Sequence, residues 1–321
     1  MKDSDEAWTL SIEDLNGVGS ATAEKLRAAG FWTVESIAVT PARELVELTG
    51  IGHQTASKIG ETARAFLGAD FSTAAELLKK KSALKKITSG TESLNTLLGG
   101  GFETQAITEL IGEFGTGKSQ ICMKLSTMVQ LPVEKGGLAS KALFIDTEGT
   151  FSPNRCHQIA QHAGLDPNQA LENILYARAY NSDHQILIVD QLYKICPEEN
   201  VKLVILDSLI SHFRGEYIGR ENLSERQQKL NSHLHKLLRL AEIQNLAVVV
   251  TNQCQANPQA FFGNPDRPTG GHVVAHAATH RLFLRKSQGN TRIARLIDSP
   301  YLPEVEAVFQ IDEHGVLDVH K

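Results

Sequence analysis

The sequence predicts an α/β protein with a mostly parallel central sheet, preceded by a small all-α domain and a linker. Two observations lead to this fold class. Residues 11–66 read as short helices around a repeated Gly-x-Gly turn, and from about residue 87 short apolar, β-branched runs alternate with helical segments. A chain of 321 residues suits two domains. We place the all-α domain at 1–66, the linker at 67–86 and the α/β core at 87–321.

Composition favours a globular protein and excludes several other classes. Hydrophobic residues make up 41% of the chain and charged residues 21%. No signal peptide opens it, and no apolar run approaches the ~20 residues of a membrane helix, so we expect no membrane partner. The four cysteines lack C-x-x-C spacing, which argues against a zinc site or a disulfide framework and favours a reducing cytoplasm. With a net charge of -5, any nucleic-acid binding must use local basic groups and backbone amides.

An internal repeat organises the N-terminal domain. The pattern from Leu15 to Leu26 recurs from Leu48 to Ile59, at an offset of 33 residues. Two repeats are too few for a solenoid, so we predict a pair of helix-hairpin-helix motifs. The exposed N–H groups of their turns can receive DNA phosphates, more readily those of a duplex, whereas the alternative is that the hairpins only pack on each other. The candidate positions are Gly17, Gly19, Gly50 and Gly52.

The core predicts a parallel sheet because its strands are continuous apolar runs separated by helices. Closely spaced strands at the C-terminal end indicate antiparallel additions at the sheet edge. The four central candidates are Ala106–Ile111, Ala142–Ile145, Val201–Leu206 and Leu246–Thr251. The four edge candidates are Leu282–Arg285, Arg292–Ile297, Ala307–Ile311 and Val316–Val319.

A phosphate-binding loop follows the first predicted strand. The run Gly112-Glu113-Phe114-Gly115-Thr116-Gly117-Lys118-Ser119 matches G-x-x-x-x-G-K-[ST] in the strand–loop–helix context that this motif requires. Its glycines let backbone N–H groups face phosphates. Lys118 can neutralise the β- and γ-phosphates, and Ser119 can bind Mg²⁺. The sequence therefore predicts an ATP site with Mg²⁺.

Polar residues end three further strands of the core. Asp207 can hold Mg²⁺ through water at the carboxyl edge of the sheet. Asp146 or Glu148 can polarise an attacking water or only cap the next turn, and the residues alone leave both interpretations open. Gln253 can sense a γ-phosphate or act as a capping amide, and this choice also stays open.

These strand ends and their flanking motifs resemble one known family over nearly the whole chain. The motifs are Ile87-Thr88-Ser89-Gly90, Leu97-Leu98-Gly99-Gly100-Gly101, Phe144-Ile145-Asp146-Thr147-Glu148-Gly149-Thr150-Phe151 and Asp298-Ser299-Pro300-Tyr301-Leu302-Pro303. Their order is similar to that of the RecA-type strand-exchange recombinases, the family of archaeal RadA and its eukaryotic counterparts. The resemblance implies a RecA-type ATPase core in a nucleoid-associated cytoplasmic protein. It also implies a DNA-dependent ATPase that forms helical filaments on single-stranded DNA and pairs it with double-stranded DNA in repair.

The resemblance also implies roles for residues of the nucleotide site. Glu148 would be the catalytic base and Gln253 the γ-phosphate sensor. Gln120 would extend the phosphate loop, and Arg155 would stack on adenine, with Ser152 standing where the family usually has a further arginine. One subunit would lend a cap to its neighbour's ATP, and a monovalent cation could bind near the first residue of that cap. The cap residues are Asp298, Ser299 and Pro300.

Assembly and DNA contacts are implied in the same way. In the linker, Phe71 and Ala74 would fill pockets on the adjacent core, where helix packing is the alternative. A first DNA loop spans 213–226 and a second spans 254–271, although ion pairing and hydrophobic anchoring could also explain these residues. The DNA candidates are Arg214, Arg220 and Arg226 in the first loop and Phe261, Phe262, Gly270 and Gly271 in the second.

Two other functions are compatible with a RecA-type core. One is a regulatory paralogue that loads a recombinase without catalysis, and the intact Lys118, Glu148 and Gln253 argue against it. The other is a ring-shaped DNA motor, which the Phe-x-x-Ala linker and the paired hairpins disfavour. Related recombinases also form inactive rings, so the resting assembly is left open.

Overall fold

The computed structural model of the chain describes residues 11–67, 73–219, 221–256, 266–268 and 272–319. It divides into two compact units, which we describe separately. The first unit ends at Ser82 and includes Asp190–Glu198, and the second comprises Ala83–Val189 and the chain from Glu199 onward. The division at Ser82 falls inside the predicted linker, and the predicted boundaries at residues 66 and 87 stay predictions.

The first unit is built from short helices around one apolar core. Leu26, Ile37, Leu45 and Ile59 are fully buried there. Thr33 caps the second helix by accepting a 3.2 Å hydrogen bond from the backbone of Ser36. The elements are a 3-10 turn at Ile12–Asp14, α1 (Ser20–Ala28), α2 (Val34–Ala38), α3 (Ala42–Thr49), α4 (His53–Leu67) and α5 (Ala74–Ser82).

The second unit contains a large sheet whose centre is parallel. Its strand order is β12-β11-β10-β9-β3-β7-β6-β4-β5, and β8 pairs with β7. All neighbours from β9 to β5 in that order are parallel. The strands are β3 (Ala106–Gly112), β4 (Lys141–Asp146), β5 (Ile174–Arg178), β6 (Val201–Asp207), β7 (Ala247–Ala256), β8 (Asp266–Pro268), β9 (His280–Lys286), β10 (Thr291–Asp298), β11 (Glu306–Asp312) and β12 (Gly315–Asp318). A separate antiparallel pair joins β1 (Lys86–Ile87) to β2 (Phe102–Glu103).

Helices connect the parallel strands, as a parallel sheet requires. Buried side chains of the helix after β3, such as Leu125, pack with sheet residues such as Phe144 and Ile205. At the other end of the unit, the Asp318 carboxylate accepts hydrogen bonds from the backbones of Glu92 and Ser93, at 2.7 and 2.9 Å. The helices are α6 (Glu92–Leu97), α7 (Lys118–Met128), α8 (Pro153–His162), α9 (Pro167–Glu172), α10 (Ser182–Glu198), α11 (Ser211–Glu216), α12 (Leu223–Gln244) and α13 (His272–Ala277). A 3-10 turn spans Val133–Lys135.

The α/β class and the four central strands are confirmed, but several local predictions differ from the structure. The strand predicted as the first antiparallel addition, β9, runs parallel to β3, so of the four predicted edge strands β10, β11 and β12 are the antiparallel additions. The linker carries the helix α5. Within the two predicted DNA loops, α11, α12 and the β7–β8 pairing are regular structure.

None of the helices in the described part of the chain combines the length and the apolar character that crossing a membrane requires.

Candidate nucleotide-binding site

A cleft of about 940 Å³ opens at the carboxyl ends of the parallel strands. Residues at or just after the ends of β3, β4 and β6 line it, together with residues in the second half of β7, because neighbouring parallel strands end at the same edge of the sheet. The predicted residues Glu113, Phe114, Gly115, Gly117, Lys118, Ser119, Gln120, Glu148, Arg155, Asp207 and Gln253 all line this cleft. The structure thus brings together residues that are up to 140 positions apart in the sequence.

The phosphate loop has a backbone that needs its glycines. Gly115 and Gly117 have φ angles of +77° and +106°, in the left-handed region. A Cβ at Gly112 would lie 2.5 Å from the carbonyl oxygen of Leu284, and one at Gly117 would lie 2.6 Å from Cδ1 of Ile311. The loop is therefore pressed against the strands β9 and β11, and bulkier residues at these positions would displace it.

Lys118 begins α7 and lies inside the loop. Its Nζ donates hydrogen bonds to the carbonyl oxygens of Gly112 and Glu113, at 2.8 and 2.9 Å. Thr116 closes the same turn by donating to the Glu113 carbonyl at 2.9 Å. Burial lowers the pKa of Lys118, and the negative charge of Asp207 opposes that shift. The ammonium therefore lies where a polyphosphate would be received by the N-terminus of α7.

Asp207 has the surroundings expected of a Mg²⁺ ligand. Its carboxylate is buried at the end of β6 and accepts hydrogen bonds from the hydroxyls of Ser119 and Thr251. Its Oδ2 has no hydrogen-bond partner among the residues that the structure describes. Burial raises the pKa of Asp207, and the hydrogen bonds from Ser119 and Thr251 oppose that shift. Oxygen ligands beside an unsatisfied buried carboxylate oxygen suit a hard divalent cation.

Asp146 and Glu148, at the end of β4, have different roles, which the sequence alone could not assign. Asp146 is the capping residue, because its side chain accepts hydrogen bonds from the backbones of Glu148, Gly149 and Phe151. It also pairs with Arg178 at 3.3 Å. Glu148 instead turns into the cleft, where its Oε1 accepts a 3.0 Å hydrogen bond from Nε2 of Gln253. The candidate base and the candidate sensor are therefore direct neighbours.

Arg155 connects the cleft to the C-terminal edge of the sheet. Its guanidinium donates to the side chain of Gln120 at 2.8 Å and to the carbonyl oxygens of Asp312 and Glu313 in the β11–β12 turn. Ser152, where the family usually has an arginine, caps α8 by accepting a hydrogen bond from the Arg155 backbone at 3.3 Å. Ser152 therefore has a structural task that orients Arg155.

Two cationic residues of the cleft were missed from the sequence. Lys286 at the end of β9 and Arg292 on β10 both line it, and Arg292 donates a 3.2 Å hydrogen bond to the carbonyl oxygen of Gly115. Both lie in ordinary strand sequence without a motif, so only the pairing of β9 with β3 could have located them. Thr150, Ser208, Thr251 and Cys254 also line the cleft and were not predicted.

The cap residues Asp298, Ser299 and Pro300 do not line this cleft. Asp298 is the last residue of β10, where the pairing with β9 shifts register between Leu296 and Asp298, and Ser299 and Pro300 follow it. Asp298 and Pro300 are exposed, whereas Ser299 is half-buried. Their position is compatible with a contact to another molecule.

The glycines predicted to bind DNA in the first unit lie directly before two helices. Gly17 and Gly19 precede α1, and Gly50 and Gly52 precede α4. Gly17 and Gly50 have φ angles of +100° and +66°, and a Cβ at Gly19 or Gly50 would meet nothing within 4 Å. The side chain of Lys58 lies 3.7 Å from the Cβ position of Gly17. Each turn therefore presents a helix N-terminus on an open side, and a lysine lies beside the first of them.

The other DNA and assembly candidates are only partly described. Arg214 is exposed on α11, Arg226 is half-buried on α12 and Ala74 is exposed at the start of α5. Both arginines therefore lie on helices and not in a loop. The candidates Phe71, Arg220, Phe261, Phe262, Gly270 and Gly271 lie outside the described residues.

The fold and the cleft together define a protein of the RecA class, with a phosphate loop at the carboxyl edge of a mostly parallel sheet. Residues 80–319 match the family model of Rad51, and residues 10–65 match that of the SAM-like helix-hairpin-helix tandem. The chain belongs to the Rad51 family, which confirms the resemblance found in its motifs.

Two relatives carry the same name. The chain is 54% identical over 314 residues to the DNA repair and recombination protein RadA of Aeropyrum pernix, and the match covers 98% of each chain. It is 52% identical over 319 residues to the DNA repair and recombination protein RadA of Ignicoccus hospitalis, covering 98% of this chain and 97% of the relative.

Proposed function

We propose that this chain is a DNA-dependent ATPase and homologous recombinase, which forms helical filaments on single-stranded DNA and exchanges strands with double-stranded DNA. The observation that carries the proposal is the convergence of Lys118, Asp207, Glu148 and Gln253 in one cleft. The names of its relatives, DNA repair and recombination proteins, support the same conclusion. The helix-hairpin-helix tandem supports a second, sequence-independent DNA contact.

The chemistry follows from the positions of the side chains. The loop from Gly112 to Ser119 would hold the phosphates of ATP, with Lys118 neutralising their charge. Ser119 and Asp207 would hold Mg²⁺, which would supply further positive charge where negative charge builds up on the phosphates. Glu148 would orient the attacking water and accept its proton. Arg155 and Gln120 would form the wall for the base.

Coupling to DNA would begin at Gln253. Its amide binds Glu148 at 3.0 Å, and the segment that follows it was predicted to be the second DNA loop. A γ-phosphate competing for the amide would move the start of that segment. The affinity for DNA would therefore depend on the bound nucleotide, and the affinity for the nucleotide would depend equally on bound DNA.

Assembly would complete the nucleotide site. Phe71 and Ala74 would anchor each subunit on the next, and Asp298, Ser299 and Pro300 would cover the neighbour's ATP. A monovalent cation could bind near Asp298. Repetition of this head-to-tail contact generates a filament when the rotation does not close, and a ring when it does.

The decisive test is catalysis by Glu148→Gln, which keeps the shape of the side chain and removes the base. We expect ATP and single-stranded DNA binding to persist, while kcat falls by about a hundredfold or more. Lys118→Ala is the comparison that should lose ATP binding itself. ATP turnover and strand exchange, each with and without single-stranded DNA, are the measurements.

The outcome also separates this function from the alternatives. Turnover undiminished in Lys118→Ala would refute the proposal. A wild-type protein that hydrolyses ATP but exchanges no strands would instead indicate a regulatory paralogue or a ring-shaped motor, which electron microscopy of the ATP-bound complex would then distinguish.

A further inference from the structure

A continuous chain of polar contacts runs from the segment after β10 to the beginning of the core. His280, at the start of β9, contacts Oγ of Ser299 through Nδ1 at 3.2 Å and the hydroxyl of Tyr301 through Nε2 at 3.1 Å. The Tyr301 hydroxyl donates a 2.6 Å hydrogen bond to Glu103 on β2. The same carboxylate oxygen lies 3.4 Å from Nζ of Lys86 on β1.

The directions of these hydrogen bonds have one consistent solution. Because the Tyr301 hydroxyl gives its proton to Glu103, it can only accept from His280, which must carry its hydrogen on Nε2. A neutral imidazole then accepts at Nδ1, so Ser299 donates its hydroxyl hydrogen there. Burial lowers the pKa of His280, which favours this neutral form. Burial and the bond to Glu103 raise the pKa of Tyr301 far above its usual range, which keeps it a donor.

Ser299 is the point where this chain fixes the backbone. Its Oγ accepts hydrogen bonds from the backbone N–H groups of Leu302 and Tyr301, at 3.1 and 3.4 Å. The two flanking residues, Asp298 and Pro300, are exposed. The orientation of the exposed segment therefore depends on where His280 holds the Ser299 side chain.

The other end of the chain lies at the linker. Lys86 is the last residue of the predicted linker, and its Nζ also donates a 2.9 Å hydrogen bond to the carbonyl oxygen of Gly99. Lys86 and Glu103 face each other across the β1–β2 pair, in direct register. Tyr301 and Glu103 are 198 residues apart in the sequence, and their side chains connect the segment after β10 to the β1–β2 pair that contains Lys86.

We propose that His280 and Tyr301 are positioning residues, which orient Asp298–Pro300 toward the nucleotide of the neighbouring subunit. Through Glu103 and Lys86, they would couple this orientation to the docking of the linker. The inference depends on the proposed function, because it needs a nucleotide shared between subunits. A subunit whose linker is docked on its neighbour would therefore keep Asp298–Pro300 in the orientation that covers the next nucleotide.

The test is Tyr301→Phe in the full-length chain, which removes one hydroxyl and keeps the ring. A fluorescent, non-hydrolysable ATP analogue is titrated at increasing protein concentrations, with assembly followed by sedimentation. For the wild type, the affinity should rise as subunits assemble. For Tyr301→Phe, the affinity at the lowest concentration should equal that of wild type, while the affinity of the assembled protein should be about fivefold weaker, the effect of one hydrogen bond.

Steady-state kinetics separate positioning from a general loss of structure. We expect the KM for ATP to rise about fivefold in Tyr301→Phe with kcat within about twofold of wild type, because the reacting groups are untouched. Tyr180→Phe is the matched control, since Tyr180 is exposed and lies beside His184. It should match wild type in every measurement.

A double-mutant cycle tests whether the chain acts as a unit. Glu103→Ala should reproduce the effect of Tyr301→Phe, and the double variant should be no worse than either single variant. Effects that multiply, or a Tyr301→Phe protein with wild-type affinity in the assembled state, would overturn the inference alone. A wild-type affinity that does not change on assembly would overturn both the shared nucleotide site and this inference.

Discussion

Asp207 shows how a single residue can lower the stability of a fold for the benefit of a ligand. It is 3% exposed and ionisable, and one of its oxygens has no partner in the described part of the chain. Burial raises its pKa, so the folded state favours the protonated form. At neutral pH the ionised carboxylate therefore opposes folding, and that cost disappears as the pH falls below its folded pKa.

A substitution of Asp207 should separate stability from metal binding. We expect Asp207→Asn to increase the free energy of unfolding by about 1 kcal/mol in metal-free buffer, because a neutral amide is cheaper to bury than a lone charge. The same variant should lose Mg²⁺-dependent ATP binding. Thermal melting in a chelator and again with ATP and Mg²⁺ measures both effects. A variant that melts below wild type in the chelator would contradict the assignment of strain to this carboxylate.

At the scale of elements, contacts with two other helices hold the C-terminal end of α11. Glu216, the last residue of α11, accepts hydrogen bonds from the backbone and the hydroxyl of Ser182 at the start of α10. The next residue, Tyr217, binds Lys229 of α12 through its hydroxyl and its ring. Two helices therefore hold the end of α11, which carries the candidate Arg214 and leads toward the candidate Arg220.

Because Glu216 acts as an anchor, its removal should change the affinity for DNA in the direction opposite to that expected from the loss of a negative charge. Removing an acidic charge close to DNA should strengthen binding, but we expect Glu216→Ala to weaken single-stranded DNA binding about fivefold, because the arginines lose their support. Fluorescence anisotropy at several salt concentrations is the measurement. Glu221→Gln removes a carboxylate from the same segment and serves as the control. Stronger binding by Glu216→Ala would show that the charge matters more than the anchor.

The same scale shows what the sequence could and could not predict. Strands β3, β6 and β7 were predictable because long runs of apolar residues such as those from Leu203 to Leu206 are buried on both faces of the sheet. Strand β5 was missed because it lies at the edge, where the exposed Tyr176 and the half-buried Arg178 interrupt a short apolar run. The pairing of β9 with β3 depends on contacts between distant segments, which no local pattern contains.

Some residues of the candidate site could be predicted from the sequence, and others could not. Lys118, Asp207 and Gln253 were predictable because each lies shortly after an apolar run that the sequence shows directly. Lys286 and Arg292 were not, since their role depends on which strand lies beside the phosphate loop. The contacts of His280 were also hidden, because Tyr301 and Glu103 come from opposite ends of the core.

At the scale of the whole molecule, a buried histidine ties stability to pH. His233 of α12 is 1% exposed, and its Nε2 lies 3.1 Å from Nε2 of Gln185, which must donate to it. Burial lowers the pKa of His233 to about 3, from an ordinary value of 6.5. Because the unfolded chain binds this proton more tightly, the contribution of His233 to stability is present above about pH 6.5 and is lost as the pH falls toward 3.

Urea unfolding between pH 8 and pH 5 tests this dependence. Below about pH 6, the free energy of unfolding of wild type should fall by an extra ~1.4 kcal/mol per pH unit because of this one proton. His233→Leu should show a shallower fall, whatever its stability at pH 8. His235→Gln, on the exposed side of the same helix, should keep the wild-type slope. Equal slopes in His233→Leu and wild type would exclude His233 as the source.

The hydrogen bonds of Asp318 affect how the protein is made. This residue of β12 caps α6 near the beginning of the core, and the turn before β12 holds Arg155 at the cleft. A nascent chain on the ribosome therefore lacks both contacts until β12 has been synthesised. During translation the unfinished core therefore has an incomplete nucleotide wall.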